Sequence, residues 1–209
     1  MTILGLFNVD EAEFLIPDRR RQPACVLIIG NAGSSIWPIF DAAKEGYSDL
    51  TLDQWTRDTV DDIASTFDIE ALYPFEGPPY HPFTRWAIRT NILFPSPLGL
   101  TIHPTFGLWH AFRAALLLDD QLGQPKPPAE SPCDNCRDKP CLTACPVNAF
   151  SMKGYDFEAC LGHVETTSNA CRQGGCLARV ACPIGQAFRY EKDHAAFHMR
   201  QLLKAQGRG

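Results

Sequence analysis

The sequence predicts a mixed α/β (α+β) protein in two parts, an α/β-patterned N-terminal domain over residues 1–123 and a small cysteine-rich domain over 133–209. Three observations predict it. A β-branched apolar run at 24–29 stops at a Gly-rich turn and gives way to helical patterning. Residues 124–132 place four prolines in nine positions, the composition of a semi-extended linker. Eight of the nine cysteines lie between 133 and 182, so only Cys25 precedes that linker.

The elements follow in order. Residues 1–22 are mixed and read as a short arm or first element. Ala24 to Ile29 is a buried strand. Gly30 to Ser35 is a turn, followed by a helix through Ala43. Gly30-Asn31-Ala32-Gly33 lacks the G-x-G-x-x-G spacing and no Walker lysine follows, so its glycines read as turn residues rather than a phosphate cradle. Asp53 caps a second helix to about Phe67, with Trp55, Val60, Ile63, Ala64 and Phe67 on its apolar side. Residues 69–73 read as a strand, 74–82 as a proline-dense connection and 83–90 as a short helix. Pro104 holds His103 extended, so 100–104 is extended chain. Periodicity does not separate strand from helix over 109–118.

Composition narrows the function. With 45% hydrophobic and 21% charged residues the chain is ordinary globular material. A net charge of -5 and the lack of a basic helix exclude a nucleic-acid footprint. Arg19-Arg20-Arg21 reads as a solvated turn between Pro17 and Pro23. No run approaches the ~18 apolar residues of a membrane span. The first residues lack a basic secretory n-region, so the cysteines point to metal rather than disulfides and to a reducing cytoplasm.

The cysteines form two sets, Cys133-x2-Cys136-x4-Cys141-x3-Cys145-Pro146 and Cys160-x10-Cys171-x4-Cys176-x5-Cys182-Pro183. Eight thiolates suffice for two [4Fe–4S] clusters. The first set is the bacterial ferredoxin run with two residues added in its middle gap. In such runs the Cys-Pro cysteine ligates the other cluster. Applied here, Cys133, Cys136, Cys141 and Cys182 hold cluster one, and Cys145, Cys160, Cys171 and Cys176 hold cluster two. A weak echo supports the pairing: Cys145-Pro-Val-Asn-Ala-Phe150 against Cys182-Pro-Ile-Gly-Gln-Ala-Phe188. Zinc ribbons pair C-x2-C with C-x2-C and have no use for Cys-Pro termini. Should one of Cys160, Cys171 or Cys176 not be a ligand, the second site is a three-iron cluster or absent. Cys25 reads as a small core residue.

Leu98-Gly99-Leu-Thr-Ile102-His103-Pro104-Thr-Phe106-Gly107-Leu-Trp109-His-Ala-Phe112-Arg113 resembles a stretch shared by two cobalamin families. Cobalamin-processing proteins of the cblC class carry a similar His-Pro-x-Phe-Gly-x-Trp run leading into an apolar strand. Epoxyqueuosine reductases carry Pro-x-Phe/Tyr-Gly-x-Trp before a proline-rich connection and a double [4Fe–4S] module. A lone cysteine sits between the two sets there, the position of Cys160. The resemblance runs from Gly77-Pro78 through Arg85-Trp86-Ala87 to Pro183.

The resemblance implies a nitroreductase-like corrinoid-binding domain joined to a ferredoxin-like module, and makes 109–118 a strand. It implies an oxidoreductase of the cobalamin reductase or dealkylase kind, with cobalamin held by His103, Phe106, Gly107 and Trp109. The electrons come from an external donor such as a flavodoxin or ferredoxin reductase. Catalytic residues stay unassigned. The reductases place an acid where this chain has Phe75, with Glu76 one residue on, so their proton donor does not carry over. Two other readings stay open: a non-catalytic ferredoxin-type carrier, and a reductase binding FMN. The remaining histidines form no H-x-x-H pair, and His194 and His198, four apart near a helical tail, read as surface.

Overall fold

Strands of seven to nine residues make most of the main sheet, and α5 and α6 in the cysteine region have five and four residues. The computed structural model describes residues 1–9, 16, 22–47, 49–123, 130–151, 154–166 and 168–208. Its strands are β1 (Thr2–Asn8), β2 (Cys25–Ala32), β3 (Glu70–Leu72), β4 (Phe94–Pro95), β5 (Thr101–Ile102), β6 (His110–Leu118), β7 (Phe150–Ser151) and β8 (Gly154–Tyr155). Its helices are α1 (Trp37–Gly46), α2 (Leu52–Thr66), α3 (Phe83–Arg89), α4 (Phe157–Glu165), α5 (Ala170–Gly174), α6 (Leu177–Val180) and α7 (Lys192–Ala205). The fold class is α+β, as the sequence predicts. Among the described residues no helix is long and apolar enough to cross a membrane.

Two units divide the chain: Met1–Leu93 with Ala111–Pro128, and Phe94–His110 with Ala129–Gly209. The sequence expectation put 94–110 with the N-terminal domain, whereas in the structure it belongs with the cysteines. Residues 124–129 of the expected linker, and Arg19 to Arg21, lie outside the described residues.

In the first unit the sheet order is β1-β2-β6-β3, with β1 antiparallel to β2 and β3 antiparallel to β6. The opening residues are thus a full strand. The Gly30-Asn31-Ala32 segment continues β2 instead of turning, because Asn31 is buried and bonded at both ends of its amide. Its Nδ2 donates to the Gly33 carbonyl (2.9 Å), and its Oδ1 accepts from Arg113 Nε (2.9 Å). Cys25 is buried in β2 as a core residue.

Helix α2 starts two residues earlier than Asp53 would start it. Thr51 is the N-cap, and with Gln54 it closes a capping box: Thr51 Oγ1 accepts from the Gln54 N–H (3.1 Å). The inward stripe is Leu52, Thr56, Val60 and Ala64, spaced by four. Ile63 and Phe67 fall off the stripe and are 47% and 68% exposed. Val60, Ala64, Tyr73, Ala114 and Leu116 form the core between α2 and the sheet.

The second unit has two two-stranded pieces, β4 with β5 and β7 with β8, and otherwise short helices. Side-chain caps place them. Asp156 accepts from the Ala159 N–H (3.0 Å) to start α4, and Asn169 accepts from the Arg172 N–H (2.8 Å) to start α5. One core joins Leu98, Ile102 and Leu108 with Cys141, Cys145, Ala149, Phe150, Ala178 and Cys182. A second joins Leu161, Val164 and Cys171 with Met199 and Leu203 of α7.

Candidate metal centre

The cysteines of the second unit have one another as charged neighbours in two groups. Cys133 and Cys136 sit in a turn in which the Cys136 N–H meets the Cys133 carbonyl (3.4 Å). Cys141 lies in the 3-10 turn Pro140–Leu142, and Cys182 follows α6. Burial first, then the negative charges of Cys182, Cys141 and Cys136, pushes the Cys133 thiol above its ordinary pKa, while Lys139 opposes the shift. Burial likewise raises Cys141, with Cys182 and Cys136 as its repelling neighbours. Cys182 is raised by burial and by Cys136. These four sulfurs surround an almost wholly apolar cavity walled by Pro97, Ile102, Pro140 and Ile184.

The other four form the second set. Cys160 rides on α4, Cys171 on α5, and Cys176 is the N-cap of α6. Burial raises Cys171, with Cys145 and Cys160 adding to it, and burial raises Cys176 beside Cys171 and Cys160. Tyr155 closes this set. Its phenol is pushed well above its ordinary pKa by burial and then by a hydrogen bond to Cys160, with Cys176 and Cys145 also near.

The backbone offsets part of the charge of these sulfurs. Ala149 N–H donates to Cys145 Sγ (3.3 Å). The backbone at Leu142, Leu177 and Ile184 lowers the thiols of Cys141, Cys171 and Cys182 against the larger effect of burial, and that at Ala178 and Arg179 does the same for Cys176. The donor set therefore suits a cubane: four thiols, oriented N–H dipoles and an apolar wall. Bringing such thiols together as thiolates requires a cationic body between them. Among the described residues no three His, Cys, Asp or Glu side chains are drawn tightly enough for a single ion. A cubane is larger than an ion, and its ligands stand around a space.

The expected cofactor residues His103, Phe106, Gly107 and Trp109 also lie in the second unit, built into a clasp. His103 and Gly107 exchange backbone hydrogen bonds (2.9 and 2.8 Å) across a tight turn. His103 Nδ1 accepts from the N–H groups of Thr105 (3.0 Å) and Phe106 (3.2 Å), and its ring stacks on Phe106 at 4.3 Å. Gly107 (φ 57°) and Gly185 (φ 72°) lie back to back. A Cβ on Gly107 would overlap the Ile184 carbonyl, and one on Gly185 the Phe106 carbonyl. The run thus seats the loop that carries Cys182. Trp109 is buried, edge-on to Tyr190 at 5.5 Å, and the Arg179 guanidinium lies 4.6 Å from its ring. Arg179 Nε also donates to the Leu108 carbonyl (3.0 Å).

Burial lowers His103 and His110 to about 4, so both are neutral at ordinary pH. His110 is buried, between the Gly107 carbonyl (Nδ1, 3.2 Å) and the Thr101 hydroxyl (Nε2, 3.0 Å). His194 corrects the surface expectation: it is fully buried, stacked on Tyr190 at 4.1 Å, with its Nε2 3.0 Å from that of His198. In the first unit, Glu76 bonds Arg57 Nη2 (2.8 Å) and the Tyr73 N–H (3.0 Å). Its carboxylate is committed to holding the 73–76 turn. Sequence reasoning missed Tyr155, Lys139 and Arg179; only the Gly154-Tyr155 step before Asp156 and Cys160 hinted at the first.

No family model and no curated protein matches the chain. Among solved structures it is similar to epoxyqueuosine reductase from Bacillus subtilis, at 16% identity and a TM-score of 0.48. The match covers 82% of this chain and 51% of that one, so the chain spans about half the length of the reductase.

Proposed function

We propose that the second unit holds two [4Fe–4S] clusters and passes single electrons. Cys133, Cys136, Cys141 and Cys182 hold the first cluster, and Cys145, Cys160, Cys171 and Cys176 the second. One observation carries the reading: within each set of four the cysteines are one another's charged neighbours, and six of the eight line one apolar core. When bound, the clusters supply low-potential one-electron chemistry. The chain's residues do the rest. The thiolates hold the iron, the N–H groups offset its negative charge, and Pro97, Ile102 and Ile184 keep water from the first site.

The chain is then an oxidoreductase, or the carrier serving one, fed by an external donor of the flavodoxin or ferredoxin reductase kind. The acceptor we favour is a corrinoid. That choice rests on the likeness of the 98–113 run to cobalamin families, because Gly107 and Trp109 already have packing roles within the second unit. Anaerobic iron–sulfur reconstitution followed by hydroxocobalamin and FMN titrations tests both levels. About eight irons per chain, the number two cubanes require, support the clusters. A cobalamin spectral shift supports the corrinoid, a response to FMN alone supports the flavin alternative, and silence from both leaves an electron carrier.

A further inference from the structure

We infer that Arg179 is a positioning residue for both clusters at once. It fixes the short helix α6, which bears one proposed ligand of each cluster, and so sets how the two clusters face each other. The inference rests on the two-cluster reading above.

The sequence creates the demand. Cys176-x5-Cys182 is two residues longer than its counterpart Cys141-x3-Cys145. The longer gap folds into α6, whose backbone holds both cysteines. The Val180 N–H donates to the Cys176 carbonyl (3.0 Å), and the Cys182 N–H donates to the Arg179 carbonyl (3.2 Å). A helix of four residues has no stability of its own, so its attitude is imposed from outside. Ala178 supplies one anchor, buried in the core with Cys141, Cys145 and Cys182. A methyl group gives contact there but little orientation.

Arg179 supplies the orientation. It is half-buried, and its Nε (3.0 Å) and Nη2 both donate to the Leu108 carbonyl. The guanidinium lies 4.6 Å from the Trp109 ring and 4.5 Å from the Tyr190 ring, and these two rings meet edge-on at 5.5 Å. Each of these partners is itself held. Leu108 and Trp109 are buried, and Tyr190 stacks on the buried His194 at 4.1 Å. Two hydrogen bonds to one carbonyl and two aromatic faces define a plane as well as a position, which an ammonium cannot do. The turn before Cys145 is built otherwise: three residues ahead of that cysteine is Leu142, packed on the cysteine core. Because Cys176 and Cys182 flank α6, any change in its attitude moves a ligand of each cluster together.

The test is an anaerobic potentiometric titration of the reconstituted full chain, read by electron paramagnetic resonance. Arg179→Lys keeps the charge and removes the planar fork. With α6 loosened, the thiolates of Cys176 and Cys182 shift against their irons, so both one-electron steps should move. The expected shift of each is about threefold or more in the oxidised-to-reduced ratio, near the lower end of one hydrogen bond's worth, which is about 28 mV for a one-electron couple. The doubly reduced chain carries an unpaired spin on each cluster, and their dipolar splitting depends on the distance and angle between the clusters. That splitting should change too, which a loss of stability alone would not produce. An unchanged splitting, or a shift confined to one step, overturns the inference. Should Arg179→Lys take up no iron, Arg179→Ala reconstituted with guanidinium chloride at a non-denaturing concentration carries the test. Both clusters must then return with guanidinium and not with ammonium chloride, and any other outcome there overturns the inference. Failure of the two-cluster reading looks different: the wild-type chain takes up no iron–sulfur clusters at all.

Discussion

The two units obtain order from different sources. In the first, a backbone ladder of four strands carries the fold, and its polar side chains are paired with one another: Asn31 with Arg113, Arg57 with Glu76. In the second, no strand among the described residues exceeds two residues apart from the first residue of β6, and α5 and α6 have five and four residues. Such pieces have no independent stability. Caps, glycine contacts and the cysteines hold them. A unit organised by side chains should depend on its ligands, while a unit organised by a ladder should not.

The largest expected effect comes from removing iron. Chelation under anaerobic, reducing conditions should strip hydrogen-exchange protection from 133–188, because buried thiols raised by burial and mutual repulsion then lack their cation. Protection in β2, α2 and the 111–118 part of β6 should persist. Simultaneous loss in both regions would remove the contrast.

Next in size is Cys182→Ser, which should cost the first cluster, about half the iron, although Cys182 lies far beyond Cys133 in sequence. Iron loss confined to the second cluster would exchange the ligand sets. Gly185→Ala comes third. The position has φ 72° and faces the Phe106 carbonyl, so a methyl there should destabilise the second unit by roughly 3 kcal/mol or more, measured by thermal melting. Gly46→Ala, at the end of α1 with nothing near it, should change stability by less than about 1 kcal/mol.

A pH dependence should also separate the units. Burial depresses His103 and His110 to about 4 from 6.5. The unfolded chain therefore binds more protons than the folded one between these values. The stability they contribute is complete above pH ~6.5 and declines as pH falls toward ~4. For buried His110 the loss is roughly 3 kcal/mol, and acid melting of the second unit should show it. A flat profile for the second unit from pH 7 to 4.5 would place these rings in a more solvated setting. The smallest effect belongs to Glu76→Gln, which weakens its half-exposed Arg57 pair and should cost the first unit about 1 kcal/mol, seen in denaturant unfolding.

Much of the first unit was legible because its signals are local. The apolar run of β2 and the stripe of α2 declare themselves within a few residues. The errors were local too: Thr51 and Gln54, not Asp53, form the cap, and Ile63 and Phe67 face outward off the buried stripe. The second unit shows the opposite pattern. Its concentration of cysteines is plain in the sequence, since eight of nine lie between 133 and 182. Nothing local showed that 94–110 joins those cysteines or that His194 is buried. β6 was ambiguous because a strand buried on both faces lacks alternation.

By itself, the sequence determined the α+β class and the strands and helices whose patterns repeat within one element. Periodicity and short spacing are properties of adjacent residues, so they survive in one dimension. Only the tertiary structure decided what the His103–Trp109 run does. Gly107 and Gly185 are 78 positions apart in sequence, yet each sits where a single added methyl would strike the other's neighbour. Such an approach is encoded by the absence of a side chain at two distant positions, and it becomes visible only when the chain brings them together.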